Sequence, residues 1–169
     1  MQIDVRPGRG RIEIGPPGGP TETIPAACTM DITDIQPYDI RLKVEWMEEH
    51  GKLAVTQATF IALPGGEPVR LPLISRLALA DLFHRALEAE LLTTEGWQGI
   101  VEKYADHDQV AVDALIYLLS VAMDSPKPSA TVAIARGLSP ASGPKRVATA
   151  RQAGLLPPTH PGKASGVTA

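Results

Sequence analysis

One cysteine, Cys28, is all the chain holds in 169 residues, so no disulfide can close within it. Cys28 has no adjacent base or cation in sequence and reads as an unreactive thiol. Aromatic side chains make up only 4% of the residues, which leaves the core to aliphatic ones. No apolar run approaches the roughly 20 residues that a membrane-crossing helix needs, and no charged-then-apolar leader opens the chain. These absences predict a cytoplasmic protein with no membrane partner. No heptad pattern persists and no internal repeat is evident, which excludes coiled coils and solenoids.

The residue types of catalysis are also poorly grouped. Pro17-Gly18-Gly19-Pro20 and Pro64-Gly65-Gly66-Glu67 lack the lysine and following helix of a phosphate loop. Glu48, Glu49 and His50 are consecutive in a turn and are expected to point into solvent. His84 and Glu88 lie four apart on a helical pattern and read as an exposed pair rather than as metal ligands. His107, between Asp106 and Asp108, reads as a helix entry, and His160 lies in a proline-rich tail. The expectation is a protein with no catalytic residue, no metal and no cofactor, and not an enzyme.

What is present is a division of charge. Residues 1–124 carry all 19 acidic side chains and 10 of the 16 basic ones, a net charge of −9, whereas residues 125–169 carry six basic residues and no acid, a net +6. A basic segment joined to an acidic body is a pointer to nucleic acid.

Within that basic segment, Thr131 to Leu156 reads as two helices about a tight turn. Val132, Ala133 and Ala135 form a small apolar face, Gly137 supplies the left-handed turn position, and Leu138 follows as a buried residue. Val147 and Ala150 continue the apolar spacing, with Lys145, Arg146 and Arg151 on the other positions. With Ser142 as N-cap the second helix runs from Gly143 to about Ala153, and Pro144 falls in the first turn, where its missing N–H costs nothing.

The run Ala133-x-x-x-Gly137-Leu138-Ser139-x-x-Ser142, followed by Arg146-Val147, Ala150-Arg151 and Gly154-Leu155-Leu156, resembles the carboxyl end of small Streptomyces-type actinobacterial helix-turn-helix proteins. The resemblance covers about residues 126–162. It implies a strand-rich amino-terminal region, a helical middle and a DNA-binding end.

The rest of the chain divides accordingly. Residues 1–26 are rich in proline and glycine and admit no long helix, although Gln2 to Val5 and Arg11 to Ile14 suit a short hairpin. Residues 27–105 read as an acidic α+β domain. In it, Tyr38 to Met47 alternates Ile40, Leu42, Val44 and Trp46 with Arg41, Lys43 and Glu45, and Leu53 to Leu63 returns with Leu53, Val55, Ala58 and Phe60 inward. Helices are expected over Leu77–Leu92, over Glu95–Ala105 behind a Thr94 cap, and over Gln109–Met123, the last with one apolar face of Val110, Ala114, Leu115, Leu118 and Val121. Residues 107–156 form a three-helix unit with Ser129 as the N-cap of its middle helix, and residues 157–169 a flexible tail.

The fold class is thus α+β: a small antiparallel sheet with helices, followed by a carboxyl-terminal trihelical helix-turn-helix unit. The function expected is sequence-specific binding of double-stranded DNA by a dimeric transcriptional regulator of an actinobacterium, its phage or another mobile element. Lys145 and Arg151 are assigned to phosphates, Ser142 and Arg146 to the region of the base edges, and Lys127 and Ser129 to the start of the supporting helix. The alternative is a protein-interaction module, in which the acidic body engages a protein partner and the helical corner is structural.

Overall fold

Alternation of apolar and charged residues is what makes the sheet. In the computed structural model, which describes residues 2–35, 38–65, 84, 88 and 96–158, six strands form: β1 (Gln2–Pro7), β2 (Arg11–Ile14), β3 (Glu22–Pro25), β4 (Ala27–Ile35), β5 (Tyr38–Met47) and β6 (Lys52–Ala62). Four are antiparallel neighbours in the order β1-β4-β5-β6, and β2 pairs with β3. Along β5, Ile40, Leu42 and Val44 are buried while Arg41 and Lys43 are exposed, the wet and dry faces that a period of two dictates.

The amino-terminal segment departs from the expected local hairpin. Strands β1 and β2 do not pair with each other; they run one after the other along the later strands, Gln2 facing Thr33 and Ile14 facing Glu22. Residues 2–35 are therefore one long bent hairpin turned at Gly15–Thr21. Its bend is a bulge: from Pro7 to Arg11 the first arm advances four residues while its partner moves three, from Cys28 to Pro25. Gly10 takes φ +86° there. Alternation marks a strand but not its partner, and pairing β1 with β4 places Ile3 and Val5 against the core. Strand β1 thus belongs to the main sheet, while β2 and β3 form a second, two-stranded one.

Strand β6 also differs in part. Leu53 is buried and Phe60 packs against the core, and the register shift between Lys43 and Val44 keeps Val55 and Ala58 opposite the buried Val44 and Leu42, but on β6, the last strand among the described residues, Val55 is 39% exposed and Ala58 is exposed. Glu48–His50 makes one exposed 3-10 turn closed by Gly51 in the left-handed conformation, as the sequence suggests.

The helices are α1 (Trp97–Lys103), α2 (Gln109–Ala122), α3 (Pro128–Ala135) and α4 (Gly143–Gln152). Helix α2 begins where Asp108 accepts a hydrogen bond from the Val110 amide, a side-chain cap. It is not amphipathic: residues 111–122 are buried without exception, so it is the central pillar of the core rather than a one-faced helix. Val112, Leu115, Ile116, Leu119 and Met123 share one apolar cluster with Ile14, Met30, Ile32, Leu42 and Leu53 of the strands and with Val132, Val147, Ala150 and Leu156. Sheet and helices therefore bury a common core.

Helix α1 ties the hairpin tip down. The Lys103 ammonium lies 2.5 Å from Glu22, which raises its pKa, and the Tyr104 hydroxyl donates to the Thr21 carbonyl at 2.7 Å. Burial raises the Tyr104 phenol above its usual 10.0. His84 and Glu88 are helical and 3.2 Å apart, but the pair is not free on the surface. His84 Nδ1 lies 3.1 Å from the Met123 carbonyl and the Trp97 indole donates to Glu88 at 2.9 Å, so both side chains are partly buried ties to α1 and α2. The remainder of the expected Leu77–Leu92 helix, the turn into Pro68–Leu73, the Thr94 cap and the tail beyond Pro158 lie outside the described residues. No helix among the described residues is long and apolar enough to cross a membrane.

Candidate nucleic-acid interface

Helices α2, α3 and α4 end alike. In each, the amide one residue past the cap bonds back across the last turn and the next amide reaches the carbonyl one residue further back: Gly137 to Ile134 and Leu138 to Ala133 after α3, Gly154 to Arg151 and Leu155 to Ala150 after α4. Gly137 and Gly154 hold φ of +65° and +75°, conformations that favour glycine. After α2 the same place is taken by Asp124 at φ +55°, whose carboxylate meets Lys52 of β6 at 2.7 Å.

The connection from α3 to α4 is longer than the sequence suggests. It spans residues 136–142, including a 3-10 turn over Pro140–Ser142, against the three or four residues of a tight corner. Leu138 is not buried but 42% exposed, and Ile134 is 53% exposed beside it. The Leu138 amide donates to the Ala133 carbonyl, as Leu155 does to Ala150, but the Leu138 side chain stays outside the core against which Leu155 packs.

Gly143 explains why a poor helix former opens α4. It is buried, and a Cβ there would lie 2.6 Å from the carbonyl carbon of Ser129 and 3.2 Å from the Ala130 amide nitrogen. The first turn of α4 rests on the first turn of α3, backbone against backbone. Ser142 precedes the helix without making a side-chain cap bond. Ser129 does not cap α3 either: Lys127 is the N-cap residue and Pro128 occupies the first turn, so Ser129 lies inside the helix.

The basic residues fall into two groups. Asp113, buried on α2, accepts from Arg136 Nε at 2.7 Å and from Arg146 Nη1 at 2.5 Å, and Arg136 also donates to the side chain and carbonyl of Gln109. Two guanidiniums on one carboxylate link α2, the end of α3 and α4, and leave a positive excess. Arg151 donates to the Tyr117 hydroxyl at 3.0 Å and to the Pro157 carbonyl at 3.3 Å, with its guanidinium carbon 5.2 Å from the Tyr117 ring centre. Lys127 and Lys145, by contrast, are exposed.

The close approach of α4 to Ser129 thus brings the amino ends of α3 and α4 together, with Lys127, Ser129, Ser142 and Lys145 on those two turns; Arg151 lies at the far end of α4. On α4, Gly143, Val147 and Ala150 face the core, and Pro144, Lys145, Ala148, Thr149 and Gln152 face out. An open concavity beside this face is lined, among the described residues, by Ser142, Lys145, Arg146 and Thr149. Sequence reasoning passed over Asp113, Ala148, Thr149 and Gln152. Asp113 did carry a signal, as the single acid in the apolar run Gln109–Ala122. Among the described residues no three His, Cys, Asp or Glu side chains are gathered for a metal. Compared with protein-family models, curated proteins and solved structures, the chain matches none.

Proposed function

We propose that the chain is a cytoplasmic DNA-binding protein, a transcriptional regulator acting as a dimer, that presents α4 to the major groove. The observation that carries this reading is the division of α4: it packs through Gly143, Val147 and Ala150 and turns Lys145, Thr149 and Gln152 outward, in a stretch of chain without an acidic residue. The resemblance to actinobacterial helix-turn-helix proteins points the same way. The engagement of Arg136, Arg146 and Arg151 inside the helical unit favours the second reading, in which the acidic body binds another protein and the corner is structural.

A salt titration of the full chain on random duplex DNA separates them. Wild type is expected to bind at low salt, and Lys127→Ala/Lys145→Ala to lower the slope of log K against log salt by about 0.9 for each lost contact. Absence of binding by wild type, or binding by the double variant equal to wild type at every salt concentration, overturns the proposal and leaves the interaction module.

A further inference from the structure

We infer, resting on the DNA-binding reading, that α4 divides its labour across its width: Ser142, Lys145, Arg146 and Thr149 grip one backbone phosphate, and Ala148 and Gln152 read an A·T-containing step beside it. The argument begins with the concavity. Its described walls offer two hydroxyls, one ammonium and the half-exposed guanidinium of Arg146, whose other edge is fixed on Asp113. A planar cation already oriented by a buried carboxylate loses little freedom on meeting an anion, and that donor set suits a phosphate oxygen. Thr149 keeps its hydroxyl near the helix by bonding to the Lys145 carbonyl at 3.1 Å.

These four residues lie along one flank of α4, because positions three, four and seven apart share a side of a helix. At 100° per residue, Ala148 and Gln152 fall beside that flank, in the middle of the exposed arc. They stand one turn apart, about 6 Å along the axis, which matches roughly two base-pair steps. Gln152 has the paired donor and acceptor that fit the N6 and N7 edge of adenine, and a methyl such as that of Ala148 packs on the C5-methyl of thymine. Arg146, assigned from sequence to the base edges, is thereby moved to the backbone. Gripping the phosphate on the flank sets how far α4 advances along the groove, and so which base pair meets Gln152.

The test is selection of full-length protein on a duplex pool with a randomised core, followed by titration of the enriched site and a scrambled one. Wild type is expected to enrich a motif with an A·T pair, and Gln152→Ala to lose about 5- to 100-fold of preference at one base pair with an unchanged salt slope. Thr149→Val is expected to weaken binding to both duplexes equally. Both sites are exposed, so the variants test contacts rather than folding. Wild type binding the pool without enrichment, or Gln152→Ala enriching the same motif, overturns this inference while DNA binding stands. Failure of wild type to bind any duplex at low salt overturns both.

Discussion

Gly143→Ala is the substitution that most directly tests how the helical unit is assembled. The added methyl would press on the Ser129 carbonyl, closest to its oxygen and 2.6 Å from its carbon, where unbonded carbons settle near 3.5 Å, so α3 and α4 would have to separate by at least about 1 Å. The obstacle is backbone at the start of a helix, which cannot rotate away as a side chain would. Separation opens the contact of Val147 and Ala150 with the core, and overpacking of this kind costs about 1–3 kcal/mol, more when backbone must move. Alanine returns up to about 1 kcal/mol of helix propensity, less in a first turn. With backbone as the obstacle and little propensity returned in a first turn, the expected net loss is about 1–3 kcal/mol. At about 2–4 °C per kcal/mol for a chain of this size, thermal unfolding followed by circular dichroism should show a fall of roughly 2–12 °C. Gly137→Val is the companion: nothing lies within 4 Å of its Cβ, so its loss of about 1–3 kcal/mol would come from φ +65° alone and leave the α3–α4 approach intact. A Gly143→Ala protein as stable as wild type would refute the close approach.

The remaining predictions concern charge. Asp113→Ala strands two guanidiniums, Arg136 with only 10% of its side chain exposed, and should cost about 3–5 kcal/mol in urea unfolding; a loss under about 1 kcal/mol would contradict a carboxylate that holds the three helices together. Asp31 on β4, hydrogen-bonded by Arg41 of β5 and also paired with Arg6 of β1, has its carboxyl held below the usual 3.8. A carboxyl lowered in the folded state contributes stability that is complete above its unfolded value and disappears as pH falls through the folded one. The gap in melting temperature between wild type and Asp31→Asn should therefore be constant above about pH 5 and close below pH 3.8; a gap unchanged at pH 2 would count against the triad.

What could be read from the sequence is what neighbouring residues decide among themselves. Strands β5 and β6, the helix entry beside His107 and the left-handed Gly137 are each written in a few consecutive positions, and each is where the pattern placed it. Pairing over distance was not legible. Gln2 to Val5 alternates equally well whether it meets Arg11–Ile14 or the distant β4, and only the bulge at Gly8–Gly10 lets one arm serve both sheets. The site failed to show for the same reason. Arg146 beside Lys145 reads as one basic patch until Asp113, 33 residues earlier, takes its guanidinium. Gly143 looks like a weakness in a helix until the backbone of Ser129 is seen against it.

That engagement of the arginines limits how α4 can hold DNA. Of the six basic residues after position 125, Arg136 and Arg151 are tied within the helical unit and Lys163 lies outside the described residues, which leaves Lys127 on one phosphate and Lys145 with the free edge of Arg146 sharing another. Two phosphate contacts give a slope of about −1.8, or roughly a 12-fold loss of affinity between 50 and 200 mM salt. Two copies on one duplex double the slope and raise that loss to about 150-fold. A single copy so sparsely charged is a weak ligand for DNA, and base contacts from Gln152 and Ala148 matter only once something holds α4 in place. The dimer is therefore not an addition to the DNA-binding reading but a condition of it, and the measured slope reports directly whether one copy or two sit on the site.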